Sequence, residues 1–286
     1  QTQHPLYLVS QVYKQDSVDA LHDVTSRISQ MFALLLASGA RPDDVARMLT
    51  ALADAFTRRL LQLEQARLGP APMAFGWIAF GSQARNEHTA STDQDNGLIL
   101  ERAPDAAESA YFAALASAVC DGLNACGYAW CSGDIMARNP AWRMSIDAWQ
   151  QCFRGWIGDP KPAALLHASV FFDQRLVAGD RALFESLQAS IFEQAAGNPL
   201  FLAVLARQAL AFEVPLGVFR RFVVAREGEN RDTLDLKAAG AMPLTDVLRV
   251  HALAAGIREP GCLQRIDALR GAGRLPAADA AEFAAA

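Results

Sequence analysis

Two aspartates separated by one residue, Asp93 and Asp95, have the spacing in this chain that is best suited to chemistry. They lie just before a short apolar run, residues 98–100, which the pattern predicts to be a β-strand. Because alternate side chains of an extended segment point the same way, the two carboxylates should share one face, with α-carbons roughly 6.5 to 7 Å apart. Two like charges this close repel each other unless a cation lies between them. Mg²⁺ usually binds one or two protein carboxylates together with substrate phosphates, so the pair predicts a site for Mg²⁺ or Mn²⁺.

A glycine and a serine, Gly81 and Ser82, end the preceding apolar run at residues 75–80. Glycine lets backbone N–H groups approach a ligand closely, and a helical turn after it would aim unsatisfied N–H groups at an anion such as phosphate. Alone, such a turn is most often only a turn, and two spaced aspartates are most often a solvated loop. If residues 75–80 and 98–100 form adjacent strands, the two features meet and predict a site for a metal-bound nucleoside triphosphate.

Two charged residues, Arg85 and Glu87, lie between the turn and the acidic pair, and Asn96 follows the pair. The stretch therefore reads Gly-Ser-x-x-Arg-x-Glu, then Thr-Asp-x-Asp-Asn and an apolar run. It resembles the nucleotidyltransferase motif of the polymerase-beta-like superfamily. Within that superfamily it looks like the family called domain of unknown function 294, which is similar to the transferase part of PII-protein uridylyltransferases.

The resemblance implies a role for each residue of the motif. Asp93 and Asp95 are expected to hold the metal and to act in catalysis, and Arg85 is expected to neutralise phosphate charge. The other motif residues expected to bind the nucleotide are Gly81, Ser82, Glu87 and Asn96.

The resemblance extends beyond the motif over nearly the whole chain. The further segments that carry it are residues 51–69, 136–142, 171–175 and 234–237. It implies an α+β fold in which a polymerase-beta-like domain, a small mixed sheet with flanking helices, follows a helical segment and precedes an all-helical domain. The expected bounds are 1–70 for the helical segment, 71–158 for the nucleotidyltransferase domain and 159–286 for the substrate-binding domain.

Both ends of the sequence suggest a piece of a longer protein. The chain begins with Gln1 and stops at Ala286 inside an alanine-rich helical pattern. The resemblance implies cyclic-nucleotide-binding or CBS domains upstream, as in signal-transduction proteins, and at least one more helix downstream.

Hydrophobic periodicity predicts helices on both sides of the motif. One helix should begin near Pro42 and end at Gly69, with Asp54, Arg58 and Arg59 on or near its solvated side. The two arginines would otherwise be placed to reach a phosphate. A second helix over residues 105–127 should lead to a strand at 128–131, an order typical of a mixed α/β unit. After a linker at 158–162 the pattern predicts only helices, at residues 163–177, 180–195, 200–212, 244–255 and 263–269.

The superfamily commonly adds a third carboxylate on a neighbouring strand, and this chain is ambiguous there. The position that aligns with the uridylyltransferase acid holds Cys131. Glu101 lies roughly 20 Å along the strand from Asp95, too far to share a metal. Asp134, near the end of the predicted strand, is therefore the candidate third ligand or general base. Without a third carboxylate, activation of the attacking hydroxyl would be slow or lost.

A loop at residues 136–142 holds Arg138 beside a proline, and it is either a wall of the nucleotide pocket or a plain solvated loop. The family resemblance favours the pocket. Two further polar clusters are either helix-surface or interdomain ion pairs of little individual stability, or a polar wall facing the metal site, with Lys237 and Arg249 contacting phosphate or base. The first is Asp173 with Arg175, and the second is Asp235 with Lys237 followed by Asp246 and Arg249.

Composition excludes several classes of function. A net charge of −5 gives no electrostatic case for a nucleic-acid polymer as partner. The longest apolar region, residues 199–219, is interrupted by charged residues and proline and predicts a core helix rather than a membrane span. The five cysteines form no Cys-x-x-Cys pair, so they predict free thiols in a reducing cytoplasm.

The motif and the resemblance together predict a metal-dependent nucleotidyltransferase. It would move a nucleoside monophosphate from a nucleoside triphosphate to a hydroxyl of a protein or a small molecule, with release of pyrophosphate. The ambiguous third carboxylate leaves a second interpretation open, a nucleotide sensor with little or no catalytic activity that regulates attached domains. A third interpretation, a purely structural interaction module, predicts no metal-dependent nucleotide binding.

Overall fold

The computed structural model describes residues 5–90, 92–161, 170–212 and 236–285, and these form a small mixed sheet among many helices. This confirms the predicted α+β class. The chain divides into two compact units. The first comprises Gln1–Cys152 and Val170–Gln188, and the second comprises Phe153–Ser169 and Ala189–Ala286.

Three helices precede the sheet: α1 (Pro5–Lys14), α2 (Val18–Ala37) and α3 (Pro42–Leu68). The predicted bounds of α3 are confirmed. Proline suits the first turn of a helix because its fixed φ is already helical and its missing N–H would be unpaired there. At the other end Gly69 stops the helix with a φ of 90°, which an L-residue rarely adopts.

The first unit contains one four-stranded sheet with the order β3-β2-β1-β4. Its strands are β1 (Phe75–Phe80), β2 (Asn96–Leu100), β3 (Arg143–Ser145) and β4 (Gln174–Gly179). β1 pairs antiparallel with both β2 and β4, whereas β2 and β3 are parallel. β1 and β2 are therefore the adjacent strands that the predicted site requires.

Two parts of the predicted strand pattern are wrong. First, residues 128–131 form no strand. Gln94 connects them to the segment before β2: its backbone N–H donates to Ala129 O and its side-chain amide donates to Tyr128 O. These contacts do not make the ladder of backbone hydrogen bonds that defines a strand pair. Second, β4 lies in a region predicted to be entirely helical. The helix predicted there covered residues 163–177, of which 163–169 lie outside the described residues.

Two helices follow the motif strands: the one-turn α4 (Gly81–Ala84) after β1, and α5 (Ala106–Ala125) after β2. The predicted helix at 105–127 is thus confirmed. Asp105 and Glu108 form a reciprocal capping box at its start. α5 packs closely on α3 at Gly122, where a β-carbon would come within 2.6 Å of Leu60 Cδ2.

The remaining elements are mostly helical. They are a 3₁₀ turn (Pro140–Trp142), α6 (Ile146–Gly158), α7 (Arg181–Ala196), α8 (Pro199–Leu210), a π-helical turn (Lys237–Ala241), α9 (Met242–Ala255), α10 (Cys262–Gly271) and α11 (Ala277–Ala285). They confirm the predicted helices at 180–195, 200–212, 244–255 and 263–269. Asp235 lies outside the described residues. Within the described residues, the helices are all too short or too polar to cross a membrane.

Candidate functional site

The turn after β1 brings its glycine against the acidic pair. Gly81 has a φ of 57°, in the left-handed region that glycine adopts without strain. A β-carbon at this position would lie 3.2 Å from Asp95 Oδ2. The Gly81 N–H donates to the backbone oxygen of Asp173 at 3.1 Å, which fixes the turn to the start of β4.

The acidic pair lies where β2 begins. Phe80 N donates to Asp95 O at 2.9 Å, one step beyond the last registered pair of β1 and β2. Between the two aspartates, Gln94 is only 3% exposed and its amide donates to the backbone oxygens of Cys120 and Tyr128. Asp93 and Asp95 are both half-buried. This alternation is typical of an extended segment whose alternate side chains share a face.

The residue at the position of the missing acid contacts the pair directly. The Cys131 thiol hydrogen-bonds to the Asp95 carboxylate. Burial raises the pKa of Cys131 to about 11, and the negative charge of Asp95 contributes to the rise. At neutral pH the thiol is therefore protonated and donates to the carboxylate. A neutral donor therefore lies beside Asp95, at the position where the sequence analysis looked for a third carboxylate.

Asp134, the other candidate for a third ligand, belongs to a turn with its own hydrogen bonds. Its φ is 54°, and its exposed carboxylate accepts from Asn139 Nδ2 at 2.9 Å. Trp142 Nε1 donates to its backbone oxygen at 3.0 Å. In the part of the chain that the structure describes, no three His, Cys, Asp or Glu side chains converge as metal ligands. The structure therefore does not bring Asp134 into one ligand group with Asp93 and Asp95.

Arg85 is held between two carboxylates. It donates to Glu87 Oε2 at 2.6 Å and to Asp173 Oδ2 at 2.7 Å, and its side chain is 14% exposed. Burial disfavours its charged form, but the charges of Asp173 and Glu87 outweigh burial and raise the pKa of Arg85 above its ordinary value. The guanidinium thus links the turn to the start of β4, and Glu87 is part of the same network.

A second buried network of ion pairs and hydrogen bonds connects the turn to α3. The sequence analysis did not predict it. Arg175 makes a bidentate ion pair with Asp54, at 2.7 and 2.9 Å, and also donates to the backbone oxygens of Gln83 and Ala84 at the end of α4. Gln83 Nε2 donates to the same Asp54 carboxylate at 3.1 Å. The predicted solvated position of Asp54 is wrong, because the residue is only 6% exposed. The ion pair with Arg175 offsets the cost of burying its charge.

The two arginines after Asp54 contact backbone oxygens. Arg58 Nε donates to Val177 O at 2.7 Å, and Arg59 Nε donates to Gln15 O at 2.6 Å. Arg58 therefore connects α3 to β4, and Arg59 connects α3 to the residue that follows α1.

The structure places the other predicted binding residues at different points. Ser82 is half-buried in the first turn of α4. Asn96, 2% exposed, accepts from the backbone N–H of Ala137 at 2.8 Å and so anchors the loop after residue 134. Arg138, on that loop, pairs with Asp121 at 2.9 Å and lies 4.9 Å from the ring centre of Trp130.

Two predicted contacts to phosphate or base fall in the second unit. Lys237 is exposed at the start of the π-helical turn. Arg249 is 4% exposed and pairs on α9 with Asp246, which is 9% exposed. This pair is part of the interior of the second unit.

Two family models match the chain. Residues 26–163 match the family described as "putative nucleotidyltransferase DUF294", and residues 199–286 match "putative nucleotidyltransferase substrate binding domain". No curated protein matches it. The first match contains the turn at Gly81 and both aspartates of the acidic pair. The chain therefore belongs to the DUF294 family of nucleotidyltransferases and carries that family's substrate-binding domain after the nucleotidyltransferase domain.

Proposed function

We propose that this chain transfers a nucleoside monophosphate from a nucleoside triphosphate to an acceptor hydroxyl, with release of pyrophosphate. The observation that carries the proposal is the closeness of Asp95 Oδ2 to Gly81, 3.2 Å from where a β-carbon would lie. It supports the proposal because the carboxylate that we assign to the metal lies beside the turn that we assign to phosphate. A phosphate bound at the turn would therefore lie within reach of an ion bound to the carboxylate.

The donor set fits a hard divalent ion. Asp93 and Asp95 supply carboxylate oxygens, which Mg²⁺ and Mn²⁺ prefer, and phosphate oxygens would complete the coordination. Gly81, which has no β-carbon, leaves the space beside Asp95 open. When bound, the ion supplies charge stabilisation for the attacking and leaving oxygens of an in-line displacement. The two aspartates would hold it, and the anchored Gln94 between them fixes their backbone.

Phosphate binding is assigned to the first turn of α4. Gly81 N–H is already used by Asp173 O, so Ser82 offers the hydroxyl and the next backbone N–H. Arg85 is paired with both Glu87 and Asp173 across this turn, so its positive charge is already neutralised and would attract phosphate less than an unpaired arginine would. We therefore assign Arg85 to holding the turn in place. Catalysis of this kind depends mainly on positioning and charge stabilisation.

The test supplies labelled ATP, UTP, GTP and CTP with Mg²⁺ or Mn²⁺ and follows label transfer and pyrophosphate. Asp93→Asn and Asp95→Asn should each lower transfer at least ~100-fold, because each removes a charged oxygen ligand. Asp267→Asn is the matched control, since Asp267 is exposed on α10 and pairs only with its helix neighbour Arg270 among the described contacts. Full transfer by both site variants would refute the assignment.

A nucleotide sensor is the second candidate, and Cys131 favours it. A protonated thiol beside Asp95 cannot take a proton from an acceptor hydroxyl at neutral pH. Metal-dependent nucleotide binding without pyrophosphate release, for every nucleotide and acceptor tried, would identify the sensor. If the chain binds no nucleotide in a metal-dependent way, both candidate functions are refuted, and the interpretation that remains is a structural interaction module.

A further inference from the structure

A narrow cavity lies beside the acidic pair, with room for about one water molecule. Most of its wall is apolar, but the polar side chains of His88, Asp93 and Gln94 take part in it. Leu123 and Tyr128 also line it. A cavity of this size holds water only where polar groups surround it, and here several do.

One wall of the cavity is a buried histidine whose ring nitrogens have no hydrogen-bond partner among the described residues. His88 is 3% exposed, and within the described part of the chain neither Nδ1 nor Nε2 has a partner. Its ring packs edge-on against Tyr128, with the centroids 5.7 Å apart. Burial lowers the pKa of His88 to about 4, although the charges of Asp54 and Asp93 act in the opposite direction. At neutral pH the ring is therefore neutral, with one N–H donor and one acceptor nitrogen.

A second residue that lines the cavity, Gln94, also has an unpartnered polar atom. Gln94 donates twice through Nε2, but its Oε1 has no partner among the described residues. Buried polar groups nearly always have a hydrogen-bond partner, from the protein or from ordered water. A water molecule in this cavity would supply partners to both residues, by accepting from a ring N–H of His88 and donating to Gln94 Oε1. Its second hydrogen would then be available to the carboxylate of Asp93, which would give the three hydrogen bonds usual for a buried water.

We propose that His88 is a positioning residue, which orients the Asp93 carboxylate for its metal ion through a water molecule held in this cavity. The inference rests on the proposed function, because it gives Asp93 the role of a metal ligand. Its physical basis is that a carboxylate fixed by a hydrogen bond on one oxygen presents the other in a defined direction. Loss of such outer partners typically weakens metal affinity or activity by ~10- to 100-fold.

The first experiment compares His88→Leu with His88→Gln. Leucine fills similar volume without hydrogen bonds, whereas glutamine restores a donor and an acceptor. The Mg²⁺ concentration for half-maximal nucleotide binding should rise at least ~10-fold in His88→Leu and return close to the wild-type value in His88→Gln. Nucleotide binding without metal should be equal in all three proteins. Leu123→Met, which repacks the same cavity without changing its polar groups, should match the wild type.

The second experiment needs no metal or nucleotide. Magnetisation transfer from water to the His88 ring protons, measured by NMR in the wild-type chain, should reveal a bound water molecule. Asp93→Asn should shift the His88 ring nitrogen resonances, because it changes the group that shares the water. Asp267→Asn should not shift them.

The outcomes separate the inference from the proposed function. A dry cavity, or His88→Leu with wild-type metal dependence, overturns the inference while the function stands. Equal losses in His88→Leu and His88→Gln also overturn it, since they indicate packing alone. A wild-type chain that binds no nucleotide in a metal-dependent way refutes the proposed function, and the NMR result then decides whether His88 and Asp93 share a water.

Discussion

The Asp95 carboxylate lies against the backbone of Gly81, so close that a β-carbon on that glycine would be 3.2 Å from Oδ2. The glycine is also held at a φ of 57°. Two independent constraints, backbone conformation and free space, therefore act on the same residue. Each predicts that a side chain at this position is unfavourable.

Gly81→Ala should destabilise the fold by about 1 to 2 kcal/mol, because L-residues are strained in the left-handed region. It should also lower metal-dependent nucleotide binding, because the added methyl group crowds Asp95. Urea unfolding measures the first effect and nucleotide titration with Mg²⁺ measures the second. Gly155→Ala is the control: nothing lies within 4 Å of its β-carbon, and alanine favours a helix more than glycine. A Gly81→Ala protein that binds as well as Gly155→Ala would contradict the placement of phosphate at this turn.

Cys131→Asp should convert the neutral donor beside Asp95 into a further carboxylate. Without metal the new charge repels Asp95, so the melting temperature should fall, and Mg²⁺ should restore it by screening the repulsion. If the missing base limits the reaction, transfer should rise at least ~10-fold, since general bases typically contribute 10²- to 10⁴-fold. Calorimetry with and without Mg²⁺ and the labelled transfer assay make these two measurements.

Cys131→Ser is the matched control for that substitution, because it keeps a neutral donor next to Asp95 and adds no charge. Its melting temperature should depend on Mg²⁺ no more than that of the wild type. If Cys131→Asp and Cys131→Ser respond alike to Mg²⁺, the side chain at this position does not face the metal site.

Arg175→Met should lower the free energy of unfolding by about 3 to 5 kcal/mol, because it leaves the Asp54 carboxylate buried without its partner. The double variant Asp54→Leu with Arg175→Met should recover much of the loss, since no unpaired charge then remains. Chemical denaturation of the two single variants and the double variant completes the cycle. A double variant as unstable as the sum of the singles would show that the ion pair does not couple α3 to β4.

Local signals in the sequence predicted the elements that local chemistry determines. Pro42 and Gly69 set the bounds of α3, and the strands on either side of the motif follow from short apolar runs. β3 and β4 were not predicted, because three to six residues of strand are defined mainly by their partners, which lie far away in the sequence.

In the candidate site, too, the features that depend on residues far apart in the sequence were not predicted. Spacing and resemblance predicted the turn and the acidic pair, and the structure brings Gly81 and Asp95 together. The burial of Asp54 was missed because its partner Arg175 is 121 positions further along the chain. On α3, Asp54 lies on the side opposite the apolar residues Val45, Leu52 and Phe56, so the periodicity of the helix alone predicts a solvated position for it.

His88 should make the stability of the first unit depend on pH. Its pKa is about 4 in the fold and near 6.5 in the unfolded chain, so between these values the unfolded chain binds a proton that the fold does not. Stability should therefore be fully present above pH 6.5 and fall as the pH drops toward 4, by on the order of 3 kcal/mol for a shift of this size. Asp54, Asp93 and Arg175 are the charged groups that act on the ring, and they remain in the variant. Urea unfolding of His88→Gln at a series of pH values should lack this component, whereas His22→Gln, on the exposed face of α2, should retain it. An identical pH profile for the wild type and His88→Gln would mean that the ring is not buried in its neutral form.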